Sequence, residues 1–351
     1  MNSIQIGKTI ISNDHRPFII AEMSGNHNQS LDRALAIVDA AAKAGAHAIK
    51  LQTYTADTIT VKGAYTITDD SSLWKGKELY DLYKQAYTPW EWHKEIFAYA
   101  KKKGLISFSS PFDETAVDFL ESLNVPIYKI ASFENTDHIL LKKVARTNKP
   151  IIMSTGVASI ADLQESIEVL KSAGCKQLVL LKCTSTYPAT PEDTNILTIP
   201  HMRQLFDLPI GLSDHTLGIG VSVGSVALGA VVIEKHLTLD RADGGVDSTF
   251  SLEPEELKAL VVETERVWLA MGKVSYTPSE KEKKSLFFKR SLFVVKDLKK
   301  GEIFTPENVR SVRPSSGLHT RYFDVIIGKR AKENIATGTP LQFYLVDHDF
   351  H

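Results

Sequence analysis

Short apolar runs alternate with longer amphipathic stretches along most of the chain, and each apolar run ends in polar residues. Such runs predict buried strands, and apolar residues at helical spacing predict the helices between them. The predicted strands are Pro17–Met23, Ala48–Thr53, Ile106–Ser110, Ile127–Ser132, Pro150–Thr155, Leu178–Thr184, Leu208–Leu212 and Val231–Ile233. Eight strand–helix units in roughly 250 residues favour an α/β fold of the closed (β/α)8 TIM-barrel type. An open doubly wound sheet is the alternative, but no glycine-rich dinucleotide turn follows the first strand.

The hydrophobic pattern changes at both ends of this repeat. Ser3–Ile11 alternates apolar and polar residues, which predicts a small hairpin, and Tyr54–Thr88 is a long polar interruption after the second strand. We predict a barrel domain over residues 1–272 and a charged, aperiodic linker over 273–290. A small β-rich domain is predicted for residues 291–351.

Composition excludes several classes of function. The 351 residues have a formal net charge of −1, so no basic field recruits nucleic acid or an anionic membrane, and we expect binding to neither. No apolar run reaches membrane-spanning length, and the N-terminus lacks a signal pattern. The two cysteines, Cys175 and Cys183, suit a reducing cytosol, so a cytoplasmic location is expected. Cys183 lies in an apolar run and is predicted as plain core.

Two histidines lie at the ends of consecutive predicted strands. The stretch GLSDHT delivers His215, and VVIEKHL delivers Glu234 and His236. A crossover helix predicted over Gly218–Gly229 makes the two strands parallel neighbours, which brings both imidazoles to the carboxyl edge of the sheet. Two imidazoles with a carboxylate beside them suit a divalent metal. The alternative is that each histidine is an ordinary hydrogen-bonded core or surface residue.

Lys50 and Lys129 lie inside apolar strands, where an unpaired ammonium is strongly disfavoured. The period of two places Lys50 on the inner face of the barrel, so it needs an anionic partner there. That partner is either Glu22, or another inward carboxylate, or a substrate phosphate or carboxylate. The hydroxyl groups that would reinforce an anion site are those of Ser110, Ser132, Ser185 and Ser213. With the histidines, these residues predict a metal-assisted addition or lyase reaction on a phosphorylated or acidic small molecule.

These motifs resemble those of one known enzyme family. The segments IIAEMSGNHNQSLDRA, AIKLQTY, FSSPF, YKIASFE, STG, LKCTSTYP, GLSDHT and IEKH occur in the order found in the sialic acid synthases. The tail, with SVRPSSGLH and IGKRAKENIATGTPL, resembles the C-terminal antifreeze-like (SAF) domain of that family. Within the family, SGNH, CTSTYP, LWKGKELYDLY and VRPSSGLH look most like the bacterial pseudaminic acid synthases.

The resemblance implies a TIM barrel followed by a SAF domain and a condensation of phosphoenolpyruvate with an N-acetylated amino sugar. A divalent metal, Mn²⁺ or Mg²⁺, would activate the open-chain aldehyde of the sugar. Carbon–oxygen cleavage would then release phosphate. The family resemblance also implies a homodimer in which each SAF domain is placed over the barrel of the partner.

The resemblance further implies roles for individual residues. His215 and His236 would be the metal ligands, and Glu234 would hold metal-bound water. The phosphoenolpyruvate contacts would be Lys50, Ser110, Lys129, Ser132, Ser185 and Ser213. The sugar contacts would be Glu22, Gln52, Tyr187 and Asp247. Arg313 would reach the barrel of the partner subunit. The residues expected to take part in catalysis are Glu22, Glu234, Lys129 and Arg313.

The expected sugar is 2,4-diacetamido-2,4,6-trideoxy-β-L-altropyranose, which would give pseudaminic acid. One alternative is an N-acetylneuraminate or legionaminate synthase, which would use N-acetylmannosamine or a 2,4-diacetamido-6-deoxymannose. The other is a non-catalytic carbohydrate-binding protein, but such a protein needs neither a metal site nor a phosphate cradle.

Overall fold

The computed structural model describes residues 3–70 and 74–347, which form two compact units, Met1–Gly272 and Lys273–His351. Leu73, the first residue of the LWKGKELYDLY segment, and residues 348–351 of the predicted small domain lie outside the described part. Each unit has its own apolar core. No helix in the described part of the chain has both the length and the apolar character needed to cross a membrane.

A hairpin of β1 (Ser3–Ile6) and β2 (Thr9–Ser12) precedes a closed, eight-stranded parallel barrel. The barrel strands are β3 (Phe18–Glu22), β4 (Ala48–Thr53), β5 (Ile106–Pro111), β6 (Tyr128–Ile130), β7 (Ile151–Ser154), β8 (Leu178–Cys183), β9 (Ile210–Asp214) and β10 (Val232–His236). The first and last of these strands, β3 and β10, are paired and close the sheet. The predicted barrel is therefore confirmed.

Helices follow the strands, and the longer ones pack an apolar stripe on the outward-facing side chains of the barrel. They are α1 (Leu31–Ala44), α2 (Ala56–Ile59), α3 (Leu79–Ala86), α4 (Trp90–Lys102), α5 (Glu114–Ser122), α6 (His138–Ala145), α7 (Ile160–Ser172), α8 (Thr198–Phe206), α9 (Gly220–Ala227) and α10 (Pro254–Met271). Local signals set their ends. Ser30 accepts a hydrogen bond from the Arg33 amide at the start of α1, and Gly45 ends that helix with a φ of 86°.

Two expectations about this unit need correction. The stretch Tyr54–Thr88 is not only a polar loop, because α2 and α3 form within it. The last two barrel strands continue beyond the apolar runs from which they were predicted, so Ser213 and Glu234 are strand residues. Parallel pairing of β9 with β10 supplies the backbone hydrogen bonds that lengthen them, and a hydropathy pattern cannot show this.

The second unit contains α11 (Glu280–Lys283), β11 (Ser291–Val294), β12 (Val309–Val312) and α12 (Phe323–Ile326). The segment predicted as an aperiodic linker is exposed but does contain α11. The strands β11 and β12 pair antiparallel, and isolated bridges extend this pairing to neighbouring segments. Leu292, Phe304 and Leu341 are fully buried in a separate core.

Candidate active site

The inner face of the barrel changes from apolar to polar along its axis. Lower positions are filled by Phe18, Ala48, Phe108, Val179 and Val232, and the N-terminal hairpin packs its isoleucines against this layer. Towards the carboxyl ends of the strands, charged and hydroxyl side chains replace the apolar ones. Residues two apart on a strand share a face. Each strand therefore contributes both an apolar residue of the lower layer and a polar residue of the upper layer to the interior.

Four buried charged side chains form the centre of the site. The Lys50 ammonium lies 2.5 Å from the Glu22 carboxylate and 3.9 Å from that of Glu234. The Lys129 ammonium lies 3.5 Å from Glu234 and donates to Ser154 Oγ at 2.7 Å. The sequence left open which anion pairs with Lys50, and within the protein this partner is Glu22. Two cations and two carboxylates balance one another before any substrate binds.

The two carboxyl groups have opposite pKa shifts. Burial raises the pKa of Glu22, and the Lys50 ammonium only partly opposes this effect. Burial also acts to raise the pKa of Glu234, but Lys129 and Lys50 together outweigh it and hold that pKa below its usual range. Glu234 is therefore the carboxyl group that stays ionised, and Glu22 is the one that can take up a proton.

Hydroxyl groups and one backbone amide line the wall beside the lysines. Lys50 donates to Ser110 Oγ at 3.3 Å, and Ser213 Oγ donates to Glu234 at 3.1 Å. The amide of Gly156 donates to Ser132 Oγ at 3.2 Å. A side chain at Gly156 would collide with the hydroxyl groups of both Ser132 and Ser185. The predicted anion-site hydroxyls of Ser132 and Ser185 therefore meet at a glycine that leaves them room.

The two predicted metal-binding histidines also meet. Their ring centroids are 5.4 Å apart, and both rings are buried. His215 Nδ1 lies 3.0 Å from the Thr184 carbonyl, so its protonated Nδ1 donates there and Nε2 keeps a lone pair. His236 Nδ1 is buried without a hydrogen-bond partner. Burial lowers the pKa of His236 well below its usual value, which keeps that ring neutral.

Two of the residues predicted to contact the sugar, Tyr187 and Asp247, lie beside the histidines. The Tyr187 ring centroid is 4.5 Å from that of His215. Asp247 accepts a hydrogen bond from Ser24 and lies 4.0 Å from His236 Nδ1, and burial raises its pKa. Gln52 is half-buried, two residues beyond Lys50 on β4. Arg313 belongs to the second unit, where it is exposed directly after β12, and no described residue pairs with it.

Several site residues were missed or misread from the sequence. Cys183 is not plain core, because its sulfur lies 3.7 Å from Ser185 Oγ and 3.9 Å from His215 Nδ1. Phe250 packs edge-on against the His236 ring, with centroids 4.9 Å apart. Glu134 has a buried carboxylate oxygen without a partner, and burial raises its pKa to about 7. The sequence did offer one indication that Glu134 belongs to the site, because it follows Ser132 by two residues at the end of a strand.

The donor set is compatible with a divalent metal. Among residues 3–70 and 74–347, no three His, Cys, Asp or Glu side chains form a ready-made ligand cluster. Two imidazoles do converge, and that of His236 has a buried nitrogen that lacks a partner. Glu234 Oε2 is a further buried oxygen without a hydrogen bond. Imidazole and carboxylate suit divalent transition metals, and two protein ligands leave positions open for water or substrate.

Known proteins share this architecture along nearly the whole chain. The chain is 44% identical to pseudaminic acid synthase of Campylobacter jejuni subsp. jejuni serotype O:2, over 97% of this chain and 98% of that one. It is 39% identical to N,N'-diacetyllegionaminic acid synthase of the same organism, over 91% of this chain and 97% of that one. The crystal structure of N-acetylneuraminic acid synthetase from Leptospira borgpetersenii serovar Hardjo-bovis matches with a TM-score of 0.73 at 33% identity, covering 81% of this chain and 95% of that one.

Family models match both units of the chain. The SAF domain model matches residues 289–344, which include β11, β12 and α12. The model of the NeuB family matches residues 37–276, which include seven of the eight barrel strands and both histidines. This match covers more than half of the chain, and the chain therefore belongs to the NeuB family, with a SAF domain after its barrel.

Proposed function

We propose that this protein is a pseudaminic acid synthase. It condenses phosphoenolpyruvate with 2,4-diacetamido-2,4,6-trideoxy-β-L-altropyranose and water to give pseudaminic acid and phosphate. The observation that carries the proposal is the convergence of Lys50, Lys129, the Ser132–Gly156–Ser185 wall and two histidines at one end of the barrel. The 44% identity to a pseudaminic acid synthase over nearly both full chains supports the choice of sugar.

The charge balance supports a bound divalent metal. Phosphoenolpyruvate brings a phosphate and a carboxylate, yet Lys50 and Lys129 are already matched by Glu22 and Glu234. A buried anion without a compensating cation is strongly disfavoured. We propose that His215 and His236 hold Mn²⁺ or Mg²⁺, with Glu234 holding water beside it. The ion would supply the missing positive charge and polarise the sugar aldehyde.

The chain's own residues bind and orient both substrates. Lys50 and Lys129 pair with the anionic groups of phosphoenolpyruvate, and the serine hydroxyls donate to its oxygens. Its methylene carbon bonds to the aldehyde carbon, water adds to its central carbon, and the carbon–oxygen bond to phosphate breaks. Glu134, with a pKa of about 7, can hold or release a proton at neutral pH.

The sugar would occupy the space bordered by Tyr187 and Asp247. The rings of Tyr187 and Phe250 give this side of the site apolar surfaces, with centroids 5.4 Å apart. Asp247 and Gln52 offer hydrogen bonds to hydroxyl and acetamido groups. A methyl group at the end of the sugar suits a wall of this kind better than a hydroxyl group, which would lose its hydrogen bonds to water.

We further propose a homodimer, located in the cytoplasm, in which each SAF domain covers the partner's barrel. Large apolar side chains are exposed just after the barrel strands, among them Phe133, Val157 and Leu217. Exposed apolar residues grouped at one face of a barrel favour coverage by another protein surface. The exposed linker before β11 and the unpaired Arg313 also support a second unit that acts on another subunit.

The test is a phosphate-release assay with phosphoenolpyruvate and a panel of amino sugars, with Mn²⁺ present. Phosphate should appear only when both substrates are present, with the highest kcat/KM for the altrose-series sugar. Comparable kcat/KM for the 6-deoxymannose derivative would instead favour a legionaminate synthase. This is the second candidate function, because the chain is 39% identical to an N,N'-diacetyllegionaminic acid synthase. If no phosphate is released with any sugar, the remaining candidate is a non-catalytic carbohydrate-binding protein.

A further inference from the structure

An ion pair is buried directly behind the two histidines, on the outer face of the barrel wall. Asp214 and Lys235 immediately precede His215 and His236 in the chain. The Lys235 ammonium lies 2.9 Å from Asp214 Oδ2, and both side chains are fully enclosed, with 0% exposure. Successive strand residues point to opposite faces, so these side chains point away from the site while the histidines point into it.

The carboxylate of Asp214 is saturated with hydrogen bonds. Its Oδ1 accepts from the amide and hydroxyl of Thr216, at 2.9 Å and 2.8 Å. Its Oδ2 accepts from Ser222 Oγ of α9 at 2.5 Å as well as from Lys235. Lys235 also donates to the carbonyl oxygen of Thr216. The peptide groups on both sides of Thr216, the residue that follows His215, are therefore tied to one buried network.

This pair occupies the last rung between the two strands. The register of β9 with β10 runs from Leu212 opposite Ile233 to Asp214 opposite Lys235, and His215 lies beyond it. Two residues earlier on each strand, on the same outer face, Leu212 and Ile233 are ordinary apolar residues of the outer core. The separation of the two histidine-bearing chain segments is therefore set at the Asp214–Lys235 rung.

Stability alone does not account for charges in this layer. Replacing a buried ion pair by apolar side chains of similar size is often neutral or stabilising, because both charges must be taken out of water. A hydrogen-bonded ion pair does, however, restrict geometry more than an apolar contact does, because its partners must meet at defined atoms.

We propose that Asp214 and Lys235 are positioning residues that hold His215 and His236 at the separation needed to share one metal ion. The proposal rests on the metal site of the proposed function. The pair touches neither metal nor substrate. It acts through the backbone of Thr216 and through the strand positions that precede each histidine, and outer-shell partners of metal ligands commonly change metal affinity by about 10- to 100-fold.

The experiment is direct Mn²⁺ binding, followed by the electron paramagnetic resonance signal of the free ion. The full chain is compared with the double variant Asp214→Asn/Lys235→Met, which removes both charges and keeps similar side-chain volumes. A double variant of a more exposed ion pair between α5 and α6, Asp118→Asn/Lys143→Met, is the control. Thermal unfolding is recorded for each protein. The absorption spectrum of bound Co²⁺ reports the ligand geometry.

We expect the Asp214/Lys235 variant to stay folded and to bind Mn²⁺ about 10- to 100-fold more weakly, with a changed Co²⁺ spectrum. The control should bind within about twofold of the parent, as expected for a pair remote from metal ligands. Parent-like Mn²⁺ affinity and Co²⁺ spectrum in the variant would overturn the positioning role and leave the metal site standing. No Mn²⁺ binding by the parent would overturn the metal site itself. If the double variant does not fold, Asp214→Asn/Lys235→Gln decides by the same criteria, because it removes both charges and leaves no unpaired ion in the core.

Discussion

The imidazole rings of His215 and His236 lie with their centroids 5.4 Å apart, at the ends of neighbouring parallel strands. They are separated by 20 intervening residues in the chain, most of which form the crossover to α9 and back. The buried Nδ1 atom of His236 has no hydrogen-bond partner among the described residues, and an unpaired polar atom that has lost its contact with water is costly. A ligand bound to this nitrogen would remove that energetic cost.

We predict that turnover depends on a divalent metal that exchanges freely. Two imidazoles are a small ligand set, so EDTA should abolish phosphate release and Mn²⁺ should restore it. His236→Ala should lose at least about 100-fold in activity while keeping its thermal unfolding temperature. His201→Ala, which removes an exposed imidazole, is the control and should behave like the parent. Undiminished turnover in metal-free protein would contradict the prediction.

Gly156 is predicted to be essential for phosphoenolpyruvate binding. The Cβ atom of alanine would lie 2.6 Å from Ser132 Oγ and closer still to Ser185 Oγ, so the hydroxyl groups must move. Gly156→Ala should raise KM for phosphoenolpyruvate about 10-fold or more, with a smaller effect on KM for the sugar. Gly220→Ala is the matched control, since nothing lies near its added methyl group. Equal kinetics for both variants would show that the serine wall does not bind the substrate.

The carboxyl group of Glu134 should make stability depend on pH. Burial raises its pKa from the usual 4.5 to about 7, although Lys129 opposes this, so the folded state binds more protons between these pH values. The free energy of unfolding should therefore fall as the pH rises from about 4.5 to about 7. Glu134→Gln removes this loss and should be about 3 kcal/mol more stable than the parent at pH 8, with no difference at pH 4.

Denaturant unfolding at several pH values checks this prediction. Glu165→Gln, a change of an exposed carboxylate on α7, is the control and should leave the stability near that of the parent at every pH. A Glu134→Gln variant whose stability runs parallel to that of the parent from pH 4 to pH 8 would show that Glu134 does not titrate as a buried acid.

Arg313 is predicted to complete the active site of the partner subunit. His215→Ala and Arg313→Ala should each be inactive or strongly impaired as homodimers. Coexpression with two different tags allows the mixed dimer to be purified, and one of its two sites then has an intact barrel and an intact SAF domain. About half of the parental activity per dimer should return. Absence of recovery in purified mixed dimers would mean that Arg313 does not act between subunits.

The sequence by itself determined the element order, the barrel and the candidates at the strand ends. Strand and helix periodicity are local properties, so they are visible wherever the apolar pattern is regular, as in β4 and α1. Parallel strands with helical crossovers share their carboxyl edge, which is why the sequence alone places Lys50, Lys129, His215 and His236 at one end of the barrel.

Only the tertiary structure decided which of these side chains touch. The pairing of Lys50 with Glu22, the meeting of Ser132 and Ser185 at Gly156, and the contact of Phe250 with His236 join residues from different strands and loops. Such contacts depend on the stagger of the strands when the barrel closes, and this is a property of the whole sheet. Cys183 shows the consequence, because its apolar neighbours predicted a core residue while the closed barrel points its sulfur at Ser185 and His215.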